Sequence, residues 1–155
     1  MNKIFQLLAT TALLAASSAF AQFDQSHKAF DDLLKKHVTY ITNGSASQVS
    51  YAGFLKDRAA LKEYLDAVSA VPEASYKSWN KNQQLAFLIN AYNAFTVELI
   101  LTRYPKLASI RDLGSLLQSP WKPKFIKLLG TQMSLDNIEH DTLRARGRYD
   151  DPRIH

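Results

Sequence analysis

Three groups of residues in this 155-residue chain carry types and spacings that could do chemistry. Asp136, Glu139 and His140 stand at i, i+3 and i+4, so a helix there sets two carboxylates beside an imidazole. A carboxylate can fix a histidine tautomer and stabilise its cation, which is what a general base requires. The same acids in the first turns of a helix can instead complement its dipole, leaving His140 a surface residue. Asn90 and Asn93 share a helix face with Ala86 and Val97, so their amides are expected to point into protein. Such amides either orient a catalytic side chain or substrate loop, or tie a neighbouring backbone segment, since leaving them unpaired costs about 1–3 kcal/mol each. The third group is basic: Lys122, Lys124 and Lys127 with Arg144, Arg146 and Arg148. Asp136, Glu139, Asp141, Asp150 and Asp151 dilute that field, so it reads as a mixed solvated face.

Other chemistries are excluded. The chain has no cysteine, which removes thiolate nucleophiles, disulfides and cysteine zinc sites. The acidic and histidine spacing matches no strong zinc signature, and no metal or cofactor is expected. There is no Gly-rich phosphate loop, no G-x-S-x-G elbow and no basic-aromatic interleaving of the RNA-binding type. The net charge of +5 is too small to imply nucleic acid. Trp79, Trp121 and Tyr92 read as core aromatics.

The elements that must position these residues follow from periodicity. Phe30, Leu33 and Leu34, continued by His37 and Val38, predict a helix over 26–37. Asn43-Gly44-Ser45 is a turn, and Gln48 to Phe54 alternates enough for a short strand or extended segment. Asp57 is placed to cap a helix whose inward face is Leu61, Tyr64, Leu65, Val68 and Val71, stopped by Pro72. Asn80 and Gln83 form a capping-box variant that opens the longest helix, from about Lys81 to the neighbourhood of Tyr104. Its apolar residues cover so much of the circumference that it must be central and packed on several sides. Residues 125–133 predict a hairpin around Leu129-Gly130, and Ser134 caps a helix from Leu135 to about Arg144. The expected class is a helix-rich α+β single domain with a central buried helix and a small β-hairpin or sheet.

Residues 1–21 read as a secretory signal peptide. Lys3 gives a positive start, Ile4 to Ala16 a short apolar run, and Ala19-Phe20-Ala21 the small residues of a cleavage site. The apolar run is short for a bilayer span of roughly 20 residues. The second apolar stretch, Leu85 to Leu101, carries Asn90, Asn93 and Glu98, a heavy polar load for hydrocarbon. A periplasmic or secreted domain over residues 22–155, with no transmembrane anchor after cleavage, is therefore expected.

Four stretches resemble the domain-of-unknown-function 547 family. They are Asp57-Arg58 leading into Leu61 to Leu65, the run Leu85 to Phe95, Ser134 to His140 with Leu143-Arg144, and Asp151 to His155. Tyr104-Pro105, Ser109 to Asp112 and Pro120-Trp121 also fall where such chains carry them. The resemblance implies Asn90, Asn93, Glu139, His140, Arg144, Arg153 and His155 as site residues. Family members continue beyond the position of His155 into a segment with cysteines, so a fragment or truncated product is expected.

Two functions compete. One is an envelope binding module for a peptide, glycan or partner protein, with Asn90, Asn93, Arg144 and Arg153 in contact. The other is a hydrolase or transferase in which His140 or His155 is the base and Glu139 its orienter, with part of the site missing. If the family motifs mark one pocket, the Asn90–Asn93 face looks onto the helix bearing Glu139 and His140, with His155 or its backbone near the same region. The leader has the most direct test: N-terminal sequencing of the exported protein should begin at Gln22 or within a residue or two. Recovery of an intact Met1 end from a soluble periplasmic extract would overturn that expectation.

Overall fold

Asn80 and Gln83 close a reciprocal capping box: each accepts a backbone N–H from the other at 3.0 Å. Two orphan donors are thereby satisfied at the start of the longest helix, α5, Lys81–Leu101. In this computed structural model, which describes residues 22–114, 119–145 and 147–149, α5 is the centre of the molecule. Phe87, Leu88, Ala91 and Ala94 are fully buried, and Leu85, Phe95 and Leu101 nearly so. By length and composition α5 could cross a membrane, but half of its most apolar window is buried inside the domain.

The N-terminal half wraps this helix. Helix α1, Lys28–His37, leads into an antiparallel hairpin of β1, Val38–Ile41, and β2, Ala46–Val49. Val38 pairs with Val49 and Ile41 with Ala46 across a 3₁₀ turn at Thr42–Gly44. Then come α2, Tyr51–Lys56; α3, Arg58–Ser69; and α4, Glu73–Ser78. The inward face of α3 is the expected one, with Leu61, Tyr64, Leu65, Val68 and Val71 all buried. Phe30 of α1 stacks on Tyr64 at 5.0 Å between centroids, joining the two helices. Helices α2 and α3 both pack on α5.

Beyond α5, a 3₁₀ turn at Ile110–Leu113 precedes a second hairpin, β3, Ile126–Leu128, and β4, Thr131–Met133. Its two-residue loop, Leu129-Gly130, holds both residues at positive φ, 51° and 77°. That backbone matches the twist of the flanking strands. Ser134 caps the next segment by accepting the Asn137 N–H at 3.1 Å. The helix-rich α+β single domain is thus observed, its small β component split into two separate hairpins.

Three local expectations are corrected. The extended segment ends at Val49; Tyr51 to Phe54 is helical, because Ser50 accepts the Gly53 N–H and Phe54 turns completely into the core. Asp57 occupies the cap position of α3 without capping it, its carboxylate being engaged with α1 instead. The helix expected over 135–144 begins as α but adopts π geometry over Asn137–Leu143, with Arg144 N–H bonded to Glu139 O five residues back. Residues 1–21, with the leader, and residues 150–155, with Arg153 and His155, lie outside the described residues.

Two substitutions test this packing. Leu88→Ala should cost about 2–5 kcal/mol as a buried large-to-small change. Gly53→Ala tests the opposite sign, since Ala normally gains up to about 1 kcal/mol over Gly in a helix. Here a Cβ on Gly53 would collide with Nδ1 of the buried His37 ring. A loss of about 1–3 kcal/mol is expected from the overpacking. Denaturant unfolding that finds Gly53→Ala as stable as wild type would show that the ring is free to move.

Candidate functional site

The π turn presents Glu139 to the central helix. Glu139 Oε2 accepts from the Tyr92 hydroxyl at 3.2 Å, and Oε1 from Arg144 Nη1 at 3.1 Å. Widening of the turn to i+5 is what brings Arg144 over Glu139; an ideal α-helix favours i+3 and i+4 partners. Tyr92 is pushed up to about 12, first by burial and then by the Glu139 carboxylate. It therefore remains a phenol donor at physiological pH. His140 is exposed, and the carboxylate beside it is Asp136, at 3.9 Å.

The other expected residues sit around α5. Asn90 is half-buried, whereas Asn93 is exposed, correcting the expectation that both amides point into protein. Asn90 lies two residues from Tyr92, about 200° round the helix at 100° per residue. The side chain of α5 that meets Glu139 is thus Tyr92, which the sequence reading placed in the core. A smaller depression, about 290 Å³, beside Asn82, Leu85, Ala86 and Ile89 lies one turn before the two asparagines.

A second polar cluster was not anticipated. His37, on the apolar stripe of α1, is buried, and its Nε2 lies 2.6 Å from Asp57 Oδ2. Lys36 Nζ reaches the same oxygen at 2.6 Å. These hydrogen bonds, Lys36 first and His37 second, hold the Asp57 carboxyl below its ordinary value of 3.8. A histidine on an apolar stripe demands a partner, and that was the available signal. The partner's identity was hidden by its distance of twenty positions along the chain, which the β1–β2 hairpin folds out of the way.

Asp57 and Lys36 also stand at one end of a groove with a volume of about 900 Å³. It runs between α1 and α3 and ends at α4. Ala29, Ala60, Ala67 and Ala70 are exposed along it, and their small side chains open the gap between the two helices. Phe23, Leu33, Tyr64, Val71 and Trp79 supply apolar walls. Phe23 is itself anchored, packing on Trp79 at 5.9 Å and edge-on to Phe87 at 5.4 Å. His27 is buried in the wall at 2.7 Å from the Tyr64 hydroxyl; desolvation lowers its pKa, partly offset by Asp24. It is therefore a neutral wall residue. Among the described residues, no group of three or more His, Cys, Asp or Glu side chains is placed to hold a metal ion.

The family model for "Protein of unknown function, DUF547" matches residues 76–155, just over half of the chain. The chain belongs to the domain-of-unknown-function 547 family. The matched stretch contains α5, the second hairpin and the π turn, hence Tyr92, Glu139, His140 and Arg144. Trp79 is the groove residue that lies within it; the walls from α1 and α3 precede it. No curated protein and no solved structure matches the chain.

The pH dependence of Asp57 tests the junction on which this 547-family domain closes its groove. A depressed carboxyl stabilises the fold fully above the unfolded carboxylate range, and that contribution is lost as pH falls through the folded value, below 3.8. Wild type should melt higher than Asp57→Asn at neutral pH, and the gap should shrink as pH falls toward about 3. An equal gap at both ends of that range would remove Asp57 from this role.

Proposed function

We propose that the mature protein is an exported binding module that takes an apolar or amphipathic ligand in the groove between α1 and α3. The observation that carries this reading is the groove itself. Its volume of about 900 Å³ falls in the range of ligand sites, roughly 300–1,000 Å³, and its lining combines apolar walls with a few charged groups at the rim. The walls are preorganised: Phe23 is fixed in an aromatic cluster, and Tyr64 by Phe30 and His27. Preorganisation lowers the ordering cost of binding.

The same geometry favours binding over catalysis at Glu139. Both carboxylate oxygens already accept from Tyr92 and Arg144, and the neighbour of His140 is Asp136 rather than Glu139. Such a network suits a tie between the π turn and α5. The export component rests on the leader pattern at residues 1–21.

The neutral dye N-phenyl-1-naphthylamine tests the groove. Its fluorescence should rise saturably with the wild-type domain. Ala67→Trp and Ala60→Trp, which fill the floor without touching the core, should each weaken binding about tenfold, equivalent to 1.4 kcal/mol. Both variants should melt like wild type. Unchanged dye affinity in both would sink the groove as a binding site.

A further inference from the structure

We infer that the occupant of this groove is an extended basic–apolar peptide segment, a reading that rests on the groove being a binding site. The first argument is charge. The whole chain is basic, at +5, yet the groove is lined by four acids, Asp24, Asp32, Asp57 and Glu63, against Lys36. Lys36 pairs with Asp57 and Lys28 with Asp32, which leaves Asp24 and Glu63 without a cation among the described residues. His27, kept neutral by burial, adds no positive charge. A local acidic lining on a basic protein attracts cations and repels anions, which sets selectivity and encounter rate.

The second argument is the distribution of these acids. Groove residues on α3 run from Asp57 at its cap to Ala70 at its end, a rise of about 20 Å at 1.5 Å per residue. Of the two acids without a cation, Glu63 stands near the middle, while Asp24 adjoins Phe23, which packs on Trp79 at the α4 end. A single-headed amphiphile would meet one of these carboxylates. A chain with cations spaced along it meets both. At about 3.3 Å per residue, an extended peptide of roughly six residues spans the groove. Its apolar side chains would face Leu33, Tyr64, Val71 and Trp79, while lysines or arginines reach the rim.

The experiment uses three blocked peptides: Leu-Lys-Leu-Leu-Lys-Leu and its counterparts with Gln or Glu at both Lys positions. Binding to the domain is measured by calorimetry, beside the naphthylamine titration. The Lys peptide should bind about tenfold tighter than the Gln peptide, with the Glu peptide weakest. Raising the salt to about 0.5 M should shrink that spread, because the rim is solvent-exposed. Glu63→Lys, at an exposed position, should weaken the Lys peptide about fivefold while leaving the Gln peptide within about twofold. Equal affinity for all three peptides would overturn the charge selection and leave the groove reading intact. Dye binding without peptide binding would overturn the peptide as occupant. Failure of both dye and peptides would remove the binding site itself.

Discussion

Helix α5 must be covered on several sides, and that constraint determines where the other elements go. Its buried residues, from Leu85 through Phe87, Leu88, Ala91 and Phe95 to Leu101, do not form the single stripe of a surface helix. Helices α2 and α3 and the π turn each cover part of it. The polar side chains on α5 then serve as ties to separate neighbours. Gln84 donates to the carbonyls of Tyr76 and Trp79, holding the end of α4. Tyr92 reaches Glu139 on the π turn. Glu98 accepts twice from Arg58 at the start of α3, at 2.6 and 3.1 Å. Apolar burial supplies the cohesion, and these charged and amide contacts set which element sits against which stretch of α5.

That division explains why the family-matched stretch and the groove differ in location. The matched residues 76–155 contain the central helix and the π turn that packs on it. The groove is built on the far side of α3, where small residues leave space beside α1. Helix α3 belongs to both parts: Leu61, Leu65 and Val68 face the core, while Ala60, Glu63 and Ala67 face the groove. Opposite faces of one amphipathic helix thus separate the surface that builds the core from the surface that lines the groove.

Much of the fold was legible because it depends on local rules. The α3 face, the Asn80–Gln83 box, the Leu129-Gly130 hairpin and the centrality of α5 all follow from spacing within a few residues. The misreadings arose where a side chain had a distant partner. Asp57 looks like a cap until Lys36 and His37 are seen to take its carboxylate. Tyr92 looks like core until Glu139 arrives, forty-seven residues later. The groove was invisible for a different reason: it consists of what alanines on two helices leave empty. Sequence periodicity reports which faces are apolar, not where two such faces fail to touch.

The π turn illustrates how such long-range demands reshape local structure. Residues 137–143 fall where the sequence predicts a plain helix, and Ser134 opens them with an ordinary cap. Within them, Ile138, Thr142 and Leu143 must be buried, while Glu139 must meet Tyr92 and Arg144 together. The i+5 bonding from Arg144 N–H to Glu139 O, with Thr142 Oγ1 donating to Asn137 O at 3.1 Å, accommodates those demands together. Wide turns of this kind are uncommon and cluster where a helix serves something beyond its own hydrogen bonding. The wide turn aims one carboxylate at the central helix, and the guanidinium five residues on completes its coordination.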